Sequence, residues 1–128
     1  MKGSRGVLAV RCLRELLHTR ELREAEVVGI DEAQFFPDLL EFVKEMEHEK
    51  TIIIAGLDGD SNREPFGEIL LCIPLCDSVV KLTALDEDGS EAIFTYRSTV
   101  YTDQIHTVNT DYTPVSRKRW KKLIVDSN

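Results

Sequence analysis

Glu26-Val27-Val28-Gly29-Ile30-Asp31-Glu32 begins, and Thr51-Ile52-Ile53-Ile54-Ala55 completes, the stretch that decides the fold. The first run is short and apolar and ends in two carboxylates, as a buried strand does where it meets a loop. The second is β-branched without alternation, the pattern of a strand covered on both faces. Between them Pro37 suits the first turn of a helix, and Leu39, Leu40, Phe42, Val43 and Met46 give that helix one apolar face. Strand, helix and strand over about 30 residues match one βαβ unit, whose crossover is almost always right-handed. The expectation is an α/β fold with a parallel sheet and flanking helices.

Upstream, Val7, Leu8, Cys12, Leu13, Leu16, Leu17 and Leu22 fall at helical spacing, which predicts an amphipathic helix over 7–24. Downstream, Gly56-Leu57-Asp58-Gly59-Asp60 ends the second strand in turn formers. A short helix is expected from Pro65-Phe66-Gly67 to Leu71, and Val79 to Leu85 reads as a third strand. Asp86-Glu87-Asp88-Gly89-Ser90 has the composition of a tight turn leading to an antiparallel partner, Glu91 to Arg97. Residues 98–116 show no clean period and read as a long loop with at most a short hairpin.

The 128 residues fit one domain, and 42% hydrophobic with 30% charged residues excludes wholesale disorder. A net charge of −7 and a pI near 5.0 argue against a nucleic-acid or membrane-binding surface, which would be basic. Arg117, Lys118, Arg119, Lys121 and Lys122 crowd around Trp120 and read as a solvated tail, with nucleic-acid contact or nuclear import as the alternatives. No apolar run approaches the ~18 residues of a membrane span. Arg11, Arg14 and Glu15 interrupt any signal-peptide core, and the three cysteines read as reduced thiols of a cytoplasmic protein. Cys72 and Cys76, beside Leu70, Leu71, Ile73 and Leu75, are expected to pack in the core. His18, His48 and His106 have no ligand-like neighbours and read as surface residues. Neither Asp58 nor Asp86 starts a calcium loop, because the sixth positions are Arg63 and Glu91 where glycine is needed.

In a parallel α/β sheet, ligands bind beyond the carboxyl ends of the strands. Asp31 and Glu32 stand at one such end, Asp58 and Asp60 at the next. An apolar strand closed by Asp-Glu has the form of a Walker B strand, whose Asp holds Mg2+ and whose Glu can act as general base. The same residues also serve as helix caps and turn formers, so both readings stand at this point.

Val27 through Phe36, with Asp31-Glu32-Ala33-Gln34-Phe35-Phe36 at its end, closely resembles the Asp-Glu-x-Gln-Phe-Phe signature of thymidine kinases of the human cytosolic type. Ala55-Gly56-Leu57-Asp58-Gly59-Asp60 followed by Arg63-x-Pro65-Phe66-Gly67 is similar to that family too. So are Leu75 to Ala84 and the set Ala92, Thr95 and Arg97. The resemblance runs from about residue 8 to 119. It implies a P-loop-kinase-type (RecA-like) sheet and ATP-dependent phosphorylation of thymidine on its 5′-hydroxyl. By resemblance Glu32 is the general base and Asp31 is associated with Mg2+. Phe35, Leu57 and Phe66 line the thymine pocket with Arg63 close by, and the loop ending near Tyr112 looks like the family's lasso. The division implied is 1–85 as a partial kinase core, 86–116 as hairpin and lasso, and 117–128 as a basic tail.

Three departures qualify that resemblance. Residues 1–128 contain no Gly-rich loop ending in Lys-Ser or Lys-Thr, the segment that cradles ATP. Ser61 stands where the family has a pocket aromatic. Asp86, Asp88 or Gly89, Ser116 and Arg119 stand where the resemblance places four zinc cysteines, so no zinc is expected and the 98–116 loop should be less firmly held. The chain alone is therefore expected to be inactive, with ATP bound only if another segment supplies the loop. Its expected partners are thymidine and a second copy or a partner kinase domain. The alternatives are a non-catalytic scaffold or oligomerisation domain, and an acidic α/β interaction module.

Overall fold

The structure, a computed structural model, describes residues 6–98 and 112–126. The chain divides into two compact units, Met1–Asp58 with Pro65–Val79, and Gly59–Glu64 with Val80–Asn128.

The first unit opens with a 3-10 turn, Leu13–Leu16, and one turn of helix, α1 (Arg20–Glu24). It is built on β1 (Val27–Ile30), α2 (Leu39–Met46) and β2 (Thr51–Ile54). The two strands pair in parallel, with Val27 opposite Thr51 and Ile30 opposite Ile54, so the βαβ unit forms as its apolar pattern predicts. Leu39, Phe42 and Val43 on one face of α2 bury against Leu13, Leu22, Ile30, Ala33 and Cys72. Val28, Ile52 and Ile54 lean onto this core from the sheet. Each such side chain contributes about 1.5–3 kcal/mol when fully buried.

The helix expected over 7–24 is not continuous. The Asp38 carboxylate reaches back 25 positions to accept the Leu13 amide at 3.0 Å, and takes the Arg14 amide at 2.9 Å. Those amides are then unavailable to a helix started upstream. Thr19, in extended conformation, caps α1 afresh by accepting from the Leu22 amide at 3.3 Å. Helix α2 starts at Leu39 rather than at Pro37, and the Asp38 carbonyl accepts the Phe42 amide at 3.0 Å. Burial of the Asp38 carboxyl pushes its acidity down, but the amides of Leu13 and Arg14 outweigh this and hold its pKa below the usual carboxylate value.

Other expectations give way to tertiary context. Among the described residues the sheet is covered on one face only, and Val27 and Ile53 are exposed on the other. Helix formation near Pro65–Leu71 shifts to a 3-10 segment at Ile69–Leu75. Within it Cys72 is buried, which raises its thiol pKa, whereas Cys76 is exposed and not a core residue. The expected third strand shrinks to β3 (Ala84–Leu85), the part that pairs with β4 (Glu91–Ala92) across the Asp86–Ser90 turn. That turn closes with the Asp86 amide on the Ser90 carbonyl at 2.8 Å.

In the second unit β5 (Phe94–Arg97) pairs antiparallel with β6 (Tyr112–Val115), Phe94 facing Val115. Residues 99–111 of the expected long loop, His106 among them, lie outside the described residues. Residues 117–126 are not a solvated tail but a helix, α3 (Arg117–Asp126). Trp120 explains the difference. Its ring is buried, with centroids 5.7 Å from Phe94 and 6.2 Å from Tyr96, while Lys118, Lys121 and Lys122 are exposed. No described helix is long and apolar enough to cross a membrane.

Candidate functional site

At the carboxyl end of β1 the ladder is interrupted for two residues. The Ala55 amide donates to the Ile30 carbonyl at 2.9 Å, and the Ala33 amide to the Ala55 carbonyl at 3.0 Å. Asp31 and Glu32 fill the gap, bulging out to solvent. Glu32 is forced into the left-handed region (φ 50°, ψ 44°), which costs a non-glycine residue about 1–2 kcal/mol. Asp31 supports the kink by accepting the Glu32 amide on its own Oδ1 at 2.9 Å. A 3-10 turn, Ala33–Phe35, follows and closes with the Phe35 amide on the Glu32 carbonyl at 3.2 Å. Its consequence is a division of labour. Ala33 and Gln34 plug into the interior, while Glu32 and Phe35 face outwards.

Gln34 is 3% exposed, and both ends of its amide are used. Nε2 donates to Glu32 Oε2 at 2.7 Å, and Oε1 accepts from the Leu57 amide at 3.0 Å. Two glycines make room for it. A Cβ on Gly56 would lie 2.4 Å from Gln34 Oε1, and one on Gly67 would lie 2.2 Å from the Gln34 carbonyl oxygen. Gly67 also has φ +60°, a conformation that favours glycine. Beside it, the Phe66 amide donates to the Asp58 carbonyl at 3.0 Å, and the Phe66 ring meets Phe35 edge-on at 5.4 Å and 85°. Phe35 remains 65% exposed and Leu57 is exposed as well. The structure thus gathers Asp31, Glu32, Phe35, Leu57 and Phe66 on one framework inside the first unit.

Arg63 and Tyr112 belong to the second unit. Arg63 has φ 61°, and its guanidinium sits 5.2 Å from the ring centres of both Phe94 and Trp120. Arg117 lies 4.9 Å from Phe94, and Arg97 lies 5.7 Å from the Tyr112 ring. Asp86, Ser116 and Arg119 also converge in this unit. Asp86, 4% exposed, accepts from the amides of Ser116 at 2.8 Å and Glu87 at 2.7 Å, and from Arg119 Nη1 at 2.8 Å. Arg119 Nη2 reaches Glu87 at 3.2 Å. The Ser116 amide first, and Arg119 next, hold the Asp86 carboxyl far below the usual carboxylate range. Asp88 stands apart from this set and takes the Ser90 amide at 2.9 Å. The Asp86 turn, Ser116 and α3 are therefore joined by hydrogen bonds and charge. Among the described residues no group of three or more His, Cys, Asp or Glu is arranged to hold a metal ion.

Sequence reasoning gave roles to the neighbours of Gln34 and none to Gln34 itself. A bondable side chain two positions past a strand-end acid, with glycines where the next loops approach, was the available signal. Asp86 and Arg119 were missed as partners because 33 positions separate them.

The sequence matches the thymidine kinase family over residues 5–120. Human cytosolic thymidine kinase is 55% identical over 73 residues, 56% of this chain and 31% of the relative. Thymidine kinase of rice (Oryza sativa subsp. japonica) is 44% identical over 111 residues, 84% of this chain and 41% of the relative. Thymidine kinase a of Arabidopsis thaliana is 44% identical over 117 residues, 80% of this chain and 49% of the relative. The chain spans between about a third and a half of the length of these relatives.

Proposed function

The chain belongs to the thymidine kinase family, and from that premise we propose that it carries the acceptor side of thymidine phosphorylation. The observation that supports this best is the exposed Glu32 on the same turn as Phe35, whose ring meets Phe66 edge-on. A planar, largely apolar base stacks on aromatic walls for about 0.5–1.5 kcal/mol per pair beyond its buried area. Glu32 then takes the proton from the 5′-hydroxyl, which makes the oxygen a nucleophile towards phosphorus. Leu57 completes the wall on the first unit. The architecture is a part of the P-loop-kinase type of α/β fold, and cytosolic placement follows the names of the mammalian relatives.

The residues fit one implied cofactor and not the other. Asp31 is an exposed oxygen ligand of the kind Mg2+ takes alongside water and phosphate, and the ion would there neutralise phosphate charge. The triphosphate of ATP finds no cradle in residues 1–128, which lack a Gly-rich loop with its lysine. Turnover therefore requires a phosphate-binding segment in addition to this stretch.

Titration calorimetry of the chain with thymidine and with a purine nucleoside tests the reading. Thymidine should bind at least about tenfold more tightly, a difference of about 1.4 kcal/mol. ATP with thymidine should yield no thymidine monophosphate. Equal affinity for both nucleosides overturns the pocket, and ATP-dependent product lost in Glu32→Gln overturns the need for a further segment.

A further inference from the structure

We propose that Gln34 is the positioning residue for Glu32, fixing its carboxylate relative to the Gly56–Leu57 segment. This rests on the reading of Glu32 as the proton acceptor. A primary amide has two unlike ends, and here each end meets the only kind of group it can satisfy. The Glu32 carboxylate accepts and cannot donate, so it takes Nε2–H; the Leu57 amide donates and cannot accept, so it takes Oε1.

The bond to Glu32, at 2.7 Å, is short and charge-assisted, the stronger class of hydrogen bond. It leaves from a side chain almost wholly out of water, so solvent does not compete at the donor end. Glu32 itself is exposed and has three rotatable bonds. Untethered, it would sample many positions, and a base must stand within hydrogen-bond reach of the proton it removes. Gln34 supplies what the exposed side chain cannot supply for itself.

The same amide sets the distance between the base and the nucleoside wall, because Leu57 hangs from its other end. Gly56 and Gly67 belong to this device. Any side chain at Gly56 would strike Oε1, and any at Gly67 would strike the Gln34 backbone oxygen. Nothing else in the first unit joins the Asp31–Phe35 turn to the Gly56–Leu57 segment through a side-chain hydrogen bond among the described residues. A glutamate at 34 would keep an acceptor for Leu57 but, ionised, offer no donor to Glu32. A methionine would keep the volume and lose both bonds.

Amide exchange in the 15N-labelled 128-residue chain provides the test, with the Gln34 side-chain signals assigned by their loss in Gln34→Glu. One Gln34 side-chain amide proton should exchange at least about tenfold more slowly than that of a free glutamine side chain. Glu32→Ala, at an exposed position that leaves folding intact, should abolish that protection while the Leu57 amide stays protected. Gln34→Met should expose the Leu57 amide, and Gln34→Glu should not. A purely space-filling Gln34 would be indifferent to Glu32→Ala, so an unchanged side-chain signal in that variant overturns the proposal. The same result decides the matter if Gln34→Met fails to fold. Thymidine is absent from every arm. Failure of the nucleoside to bind would count against the functional reading alone, and failure of the amide signal against the Gln34 link alone.

Discussion

Glu32 and Asp86 are both acids placed just beyond a strand, and their surroundings are opposite. Asp86 follows β3, is shut away from solvent, and accepts from two backbone amides and a guanidinium. Glu32 stands past β1 in the open, on a left-handed backbone, with the single side-chain bond from Gln34. A carboxylate has about four acceptor sites. Asp86 spends most of them joining a turn, a strand end and a helix, so it has little left to offer a substrate. Glu32 keeps most of its capacity, and the chain tolerates backbone strain to hold it there. Residue type does not separate a structural acid from a chemically available one; the number of donors already engaged does.

The largest effect should come from breaking the saturated partner. Asp86→Ala leaves Arg119 Nη1 and the Ser116 amide without their acceptor, while Nη2 keeps Glu87. The thermal transition followed by Trp120 emission, the single tryptophan, should fall by roughly 5 °C or more. Acid sharpens the point. The donors depress the folded pKa of Asp86 below its unfolded value of about 3.9. Its contribution is therefore complete above that value and fades as pH falls below it towards the folded pKa. Asp38 and Asp88 are depressed too, so acid unfolding is shared. The gap in midpoint between the wild type and Asp86→Asn should nevertheless narrow between pH 6 and pH 3. A gap that stays constant would return Asp86 to the class of ordinary surface acids.

The next effect lies under Glu32 rather than on it. Gly67→Ala combines a positive φ with a 2.2 Å clash against a backbone oxygen that cannot swing aside. It should cost about 2–4 kcal/mol in urea unfolding followed by circular dichroism. A cost under about 1 kcal/mol would mean that the Gln34 turn is soft, and that Glu32 is not rigidly presented.

The smallest effect should be at Glu32 itself. Glu32→Gly exchanges left-handed strain for the extra freedom of glycine in the unfolded chain, which nearly cancel, and takes the acceptor from the Gln34 side-chain amide. Stability should fall by no more than about 1 kcal/mol. A loss larger than that would show that Glu32 holds the fold together, as Asp86 does.

The βαβ unit was legible because its information is local. Val27–Ile30 and Thr51–Ile54 are apolar runs of strand length, and α2 carries its apolar stripe at helical spacing. What failed was decided at a distance. The 7–24 helix is broken by a carboxylate from residue 38, and the 117–126 helix is anchored by a tryptophan that needs Phe94 and Tyr96. Periodicity carries no sign of either. At the candidate site the resemblance marked Asp31, Glu32, Phe35, Leu57 and Phe66, which lie on one framework in the first unit, and Arg63 and Tyr112, which belong to the second. Gln34 was marked only by its place two positions past a strand-end acid, since its bonds depend on which backbone amide lies across from it. For the same reason the polar residues at 86, 116 and 119 read as lost ligands rather than as partners of one another.

The half-covered sheet has a cost in the crowded setting where chains fold. Thr51-Ile52-Ile53-Ile54-Ala55 is uncharged, β-branched and free of proline, the composition from which cross-β stacks grow between molecules. Ile53 and Val27 show on its open side even after folding. Immediately before it stands Lys50, whose ammonium is tied to the Ala25 carbonyl at 2.7 Å, at the entrance to β1. A fixed charge at the head of a sticky strand acts as a gatekeeper against sheet growth. Lys50 thus bounds, with one fixed charge, the uncharged run that forms β2.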